Sequence, residues 1–267
     1  MPLEKIYVVR HGFRSNWLVD PATGTYSAYI PSPTGIPADP ALTSHGLGQA
    51  RELAGHLLTL DPPIEAVYSS PFYRCLQTLA PFIQLQQSRR LAAEHGDEAD
   101  ARPPRPVRHA ATEIRPEHGI REWFGSAPFD HPQPAPVHTL KSLFPAVDDK
   151  YESIVTPPSR GETLAQLQER VALALRGIIR QCDASGARAA VLCTHAAVVI
   201  LLGRVLTGLV PDSADAEDFH AYTCGLSVFR RQRLDQGKSA DPATPGQQVG
   251  WPKACWPPPS MSASPLV

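Results

Sequence analysis

Ile6-Tyr7-Val8-Val9 is an unbroken apolar run of strand length that ends on Arg10-His11-Gly12. A short apolar run without alternation predicts a strand buried on both faces. Residues 17–41 carry many Pro and Gly and little periodicity, so they read as a long loop. Helical spacing then takes over. Leu47, Ala50, Leu53, Ala54, Leu57 and Leu58 share one face, Thr43 or Ser44 caps the start, and Asp61-Pro62-Pro63 stops it. Ala66-Val67-Tyr68-Ser69 predicts a second buried strand. Ser70-Pro71 then opens a helix, with Ser at the cap and Pro at the first helical position, which puts Arg74 in its first turn.

Residues 86–105 mix both signs of charge without alternation and read as a flexible insert. Val107–Ala110 predicts a third strand, and the Pro- and His-rich stretch 126–138 a surface loop. Thr163-Leu164-Ala165-Gln166 fits a capping box, and Leu164, Leu167, Val171, Leu175, Ile178 and Cys182 form the stripe of the helix behind it. Ala189–Cys193 is a buried strand handing over to Thr194-His195-Ala196, then an apolar helix to about Leu206. Residues 224–229 form a last strand. From residue 235 a Pro-, Ser- and Gly-rich tail reads as disordered, leaving 1–234 as one domain. Strands alternating with helices predict an α/β fold, a three-layer sandwich with a mainly parallel central sheet. Sites in such sheets form at the carboxyl ends of strands, where His11, Arg74 and His195 all fall.

Composition narrows the classes. The 267 residues are 42% hydrophobic with net charge −1, so the chain is no polycation and no direct nucleic-acid partner is expected. Five cysteines lie scattered without a CxxC pair, which reads as reduced thiols rather than a zinc site. The first residues run straight into the strand without a cleavable apolar region, and the longest apolar stretch, Ala196–Leu202, is too short to span a bilayer. A cytoplasmic or nuclear protein without a membrane partner is expected.

His11, beside Arg10 at a strand end, suits a nucleophile for phosphoryl transfer, with His195 as a partner that stabilises the phosphoryl group. Arg10, Arg14 and Arg74 suit the phosphate oxygens, because the planar guanidinium fork matches them and stays charged. The leaving oxygen needs a proton. Glu122 lies among apolar and aromatic neighbours expected to raise its pKa and keep it protonated, with Glu113 and Glu117 as rivals. Phe13, Trp17, Trp123 and Phe124 favour an aromatic or peptide-borne phosphate over a small sugar phosphate.

Arg10-His11-Gly12, the run Ser70 to Thr78, Gly161-Glu162-Thr163 and Thr194-His195-Ala196 resemble the histidine phosphatase (phosphoglycerate mutase-like) superfamily over roughly residues 4–230. The resemblance implies a phosphoglycerate mutase-like fold and a phosphohistidine intermediate on His11. It also implies a phosphate pocket of Arg10, Arg14, Arg74 and His195, Glu122 as proton donor, and neither metal nor cofactor. Phe13 stands where Glu or Gln often follows His-Gly, which sets the chain apart from the phosphoglycerate mutases. Tyr7–Trp17, Ser70–Leu76 and Gly119–Trp123 are further similar to the phosphatase-like domains of a fungal subunit of transcription factor TFIIIC and its stand-alone fungal relatives. Three readings follow. The first is a metal-independent phosphomonoesterase acting on a phosphorylated small molecule or phosphoprotein. The second is an interaction module with TFIIIC subunits as partners, and the third a mutase-type phosphotransferase.

Overall fold

The computed structural model describes residues 2–95, 111–209 and 219–231. In chain order its strands are β1 (Lys5–Arg10), β2 (Trp17–Asp20), β3 (Thr25–Ala28), β4 (Ala66–Ser69), β5 (Arg115–Pro116), β6 (Ala189–Thr194) and β7 (Leu226–Arg230). Its helices are α1 (Ser44–Leu57), α2 (Tyr73–His95), α3 (Val137–Leu143), α4 (Leu164–Ser185) and α5 (Ala196–Thr207). The central sheet runs β5-β4-β6-β1-β7, and only the β1–β7 pairing is antiparallel. Side chains alternate across β1 with the two-residue period of a strand. Tyr7 and Val9 pack with Leu53, Leu57, Leu76 and Leu79 of α1 and α2. Ile6 and Val8 pack with Val171, Leu175, Ile178 and Leu202 of α4 and α5. Helices therefore cover both faces, which is the three-layer α/β sandwich the alternation of elements predicts.

Caps behave as their residue types require. Thr43 accepts the Gly46 N–H, and Thr163 with Gln166 closes the capping box of α4, which ends at Gly186 in the left-handed region (φ 76°). Among the described residues no helix is long and apolar enough to cross a membrane.

Several expectations are corrected. Residues 17–41 are not all loop: β2 and β3 pair as a hairpin, Trp17 opposite Ala28, outside the central sheet. Its side chains are mostly exposed or half-buried, so it leaves no buried apolar run in the sequence. Residues 86–95 belong to α2 rather than to a flexible insert. Gln, Arg, Leu and Ala there are good helix formers, and a polar helix end lacks the apolar stripe that betrays a buried one. The strand expected at 107–110 lies outside the described residues, as do 96–106 and the tail from 235. Instead, β5 occupies the sheet edge. Helix α2 starts at Tyr73, two residues after Pro71, and Ser70 does not cap it. The stretch 126–138 is anchored rather than free on the surface, with His131 and Ala135 buried and α3 beginning at Val137.

Candidate active site

β1 and β6 run parallel and in register, Arg10 beside Thr194, so their carboxyl ends present His11 and His195 side by side. The Thr194 carbonyl accepts the His11 N–H at 2.9 Å, and the two imidazole centroids stand 5.3 Å apart. His195 is also the N-cap of α5, where the helix dipole favours an anion. Arg74 arrives from the first turn of α2, and Glu122 from the turn after β5. The sheet thus brings together four of the six expected residues around Arg74 Nη2, which lies 3.0 Å from Glu122 Oε2 and 3.2 Å from His195 Nδ1.

The neighbours of His11 fix its tautomer. Its Nδ1 lies 2.8 Å from the Gly12 carbonyl, an acceptor that requires the proton on Nδ1 and leaves the Nε2 lone pair free. The Gly12 N–H in turn donates to Thr78 Oγ1 at 3.0 Å, and Thr78 donates to the Arg74 carbonyl at 2.7 Å. One hydroxyl, a turn beyond Arg74, therefore ties the loop that carries His11 to helix α2. Space there is tight: a Cβ on Gly46 would fall 2.0 Å from the Phe13 carbonyl oxygen. Burial, with the charges of Arg74 and His195 behind it, pushes the His11 pKa well below the ordinary histidine value. The imidazole is neutral at neutral pH.

The guanidinium groups crowd one another. Burial and the neighbouring Arg74 lower Arg14 to about 10, and they lower Arg10 as well, with Glu122 pulling the other way. Arg10 Nε and Arg74 Nε are buried without an acceptor. A buried N–H left unpaired is costly, so two such donors in a cationic recess describe a place shaped for an oxygen-rich anion. His11, Glu122 and His195 also offer ligand atoms within 4.8 Å of one another, a set able to grip a metal ion. Glu122 is already engaged by Arg74, and the surrounding guanidinium charge favours an anion over a cation there.

Glu122 departs from expectation. Burial pushes its pKa up, as the apolar neighbours suggest. The charge and hydrogen bond of His195, then Arg74 and His11, outweigh burial and hold the carboxyl well below its usual range. His195 moves the opposite way: burial lowers it, but Cys75 and the Glu122 carboxylate raise it overall. At neutral pH Glu122 is ionised. Its two rivals are elsewhere. Glu113 is exposed. Glu117 is fully buried and structural, accepting from the Gly119 and Ile154 N–H groups and from the Tyr151 and Ser153 hydroxyls.

Four supports were not assigned from sequence. Asp39, fully buried, faces Arg74 Nη1 at 3.6 Å and accepts the Tyr73 N–H at 2.7 Å. It sits in the aperiodic stretch before α1, where nothing local marks it. Glu162 pairs with Arg170 through both carboxylate oxygens (2.8 and 3.0 Å). Arg170 then donates to the Gly119 carbonyl at 3.0 Å, which fixes the turn that carries Glu122. Glu162 stood in a recognised motif, and its separation of eight from Arg170 was the available signal. Thr194 Oγ1 reaches the Ile120 carbonyl at 2.5 Å and holds the same turn from β6. Ser70, buried, lies with its Oγ 2.8 Å from His195 Nε2, so the residue read as a helix cap orients a site histidine instead. Replacing Ser70 with Ala is expected to lower kcat for an aryl phosphate about tenfold, the scale of one lost buried hydrogen bond. Circular dichroism should show an unchanged fold, and a wild-type kcat would refute the assignment.

Comparison with known proteins places the chain in a family. The profile of the histidine phosphatase superfamily (branch 1) matches residues 6–96 and 105–237. The transcription factor tau 55 kDa subunit of Saccharomyces cerevisiae is 35% identical over 214 residues, covering 78% of this chain and 42% of that protein. The ecdysteroid-phosphate phosphatase of Drosophila melanogaster is 26% identical over 233 residues, covering 79% of this chain and 28% of that protein. The chain thus spans less than half the length of these two curated relatives. Among solved structures, the ecdysone phosphate phosphatase of Bombix mori, in complex with tungstate, superposes with a TM-score of 0.57 at 18% identity, covering 93% of this chain and 98% of that one. That likeness extends to the fold. A profile matched across nearly all of the α/β domain, on top of a relative above 30% identity, settles the kinship: the chain belongs to the histidine phosphatase superfamily, branch 1.

Proposed function

We propose that the protein is a metal-independent phosphomonoesterase that works through a phosphohistidine on His11. The observation that carries the reading is the His11 imidazole, neutral and with Nδ1 committed to Gly12, beside buried guanidinium N–H groups that have no acceptor. In this reading Nε2 attacks phosphorus in line with the ester oxygen. The N–P bond forms as the P–O bond to the alcohol breaks, and Arg10, Arg14, Arg74 and His195 stabilise the charge on the phosphoryl oxygens. Water then attacks phospho-His11, releasing inorganic phosphate and restoring the imidazole. Glu122 delivers a proton to the leaving oxygen. Because it is ionised before substrate arrives, it needs a source, and a monoanionic monoester brings one into the site. The phosphate's negative charge also offsets Arg74 and His195, the groups that hold Glu122 ionised.

This sets the sign of the pH dependence. The second ionisation of a phosphate monoester lies near pH 6, about where ordinary histidine titrates. His11, depressed, stays a free nucleophile below that point, while the substrate gains the proton Glu122 requires. Hydrolysis of an aryl phosphate, with chelator present, is expected to rise about tenfold or more in kcat/KM between pH 8 and pH 5.5. A rate that collapses below pH 6.5 would mean that His11 protonates there, and abolition by chelator would remove the metal-free reading.

The 35% identity to the transcription factor tau 55 kDa subunit supports a second reading, in which this domain serves as an interaction module of TFIIIC with phosphatase activity incidental to that role, and a nuclear location with it.

A further inference from the structure

Between the β2–β3 hairpin and residues 123–131 lies a hollow of about 380 Å³ whose walls include Trp17, Tyr26, Trp123, Phe124, Phe129 and His131. No Asp, Glu, Lys or Arg lines it. The proposed phosphoryl chemistry uses none of these side chains, yet three of the walls connect to it. Phe124 meets Phe72 at 6.0 Å between centroids, and Phe72 meets His195 at 5.6 Å. The Arg14 guanidinium stands 5.8 Å from the Trp17 ring. Trp123 directly follows Glu122.

Its walls are fixed in place. Buried His131 stacks on Phe124 at 5.3 Å and 16°. One of its ring nitrogens meets the Tyr26 hydroxyl at 2.8 Å and the other the Gly125 carbonyl at 3.0 Å, which rivets the hairpin to the loop. At the hairpin turn Gly24 has φ +71°, and a Cβ there would lie 2.5 Å from the Phe129 ring, so the tip is seated on that ring.

We propose that this hollow is the leaving-group subsite: it receives the organic part of the phosphate ester and selects a planar, apolar ring system. The inference rests on the phosphomonoesterase reading and adds the substrate class to it. Its volume lies in the range of small-molecule sites, and its aromatic walls reward flat apolar surface. A polyol or a second carboxylate would be stripped of water there with little to replace it.

The test compares 2-naphthyl phosphate with phenyl phosphate, two aryl esters with leaving groups of similar acidity, so their ratio reports ring size rather than intrinsic reactivity. The wild-type kcat/KM ratio is expected to favour naphthyl by about tenfold or more, the discrimination typical of an apolar pocket. Ala127→Trp, which fills the hollow, should bring the ratio near one while phenyl phosphate turnover persists. Phe129→Ala, which opens one wall, should also lower it. Equal constants for the two esters in the wild type, or a ratio untouched by both variants, would overturn the subsite while leaving the phosphatase reading intact. If neither ester turns over, the phosphatase reading fails, and titration with naphthyl phosphonate decides the hollow alone. Saturable quenching of Trp fluorescence that disappears in Ala127→Trp supports the hollow as a ring-binding site, and its absence from the wild type rejects it.

Discussion

Replacing His11 with Ala is expected to cut aryl phosphate hydrolysis by at least about 10⁴, the scale seen when a nucleophile is removed from an enzyme. The fold should survive. The His11 backbone N–H keeps its bond to the Thr194 carbonyl in any variant, and the side chain gives up its contacts with Gly12 and the His195 ring. The thermal midpoint therefore moves little, while acid-labile radiolabelled phosphoenzyme, trapped in the wild type during turnover, is lost. A variant that retains hydrolysis would place the nucleophile elsewhere. The same protein separates the two functional readings. Association with TFIIIC subunits that persists without hydrolysis marks an interaction module.

Arg74→Met should damage stability and activity together. Arg74 has no exposed surface and touches Asp39, Glu122, His195 and the Ala38 carbonyl. Burial already lifts the Asp39 pKa to about 6, with the guanidinium holding it down. Without that partner the buried carboxyl keeps the Tyr73 N–H but loses its countercharge, at a cost of about 3–5 kcal/mol. For a domain of this size that corresponds to a fall of roughly 6–20 °C in Tm. Activity should drop about a thousandfold, since a donor to the transferring phosphoryl group is gone. Arg74→Met combined with Asp39→Asn should recover much of the lost stability and none of the activity. Full thermal stability in the single variant would show that the Asp39–Arg74 contact contributes little.

The parts of the site that the chain announces are those a local pattern can carry. Two apolar strands ending in histidines, in a sheet expected to be parallel, bring His11 and His195 to one edge because parallel strands share a carboxyl end. Arg74 followed from its place just beyond β4. What stays hidden depends on charges arriving from afar. Ile120 and Trp123 lie near Glu122 in sequence and argue for a protonated acid, but His195 and Arg74 reach it from the end of β6 and from α2 and reverse the sign. Asp39 is silent for the same reason, since only folding brings it against Arg74. The β2–β3 hairpin was missed on different grounds. Half-exposed strands of four residues bury too little to leave a run, although Asp20-Pro21 and Gly24 between them are turn residues.

The position of β1 has a consequence for how the protein is made. Its strand neighbours are β6 and β7, so Lys5 waits for Ala189 on one edge and Arg230 on the other. Throughout synthesis of the intervening chain, Ile6-Tyr7-Val8-Val9 has none of the strand partners it will finally have, an apolar ribbon with both edges open. Contacts so distant along the chain close slowly, and exposed edges invite association with other chains meanwhile. A nascent chain halted before residue 189 carries the nucleophile but has no sheet to present it. In this topology the strand that ends on His11 is completed only when β6 and β7 have been translated, so its edges stay open longest.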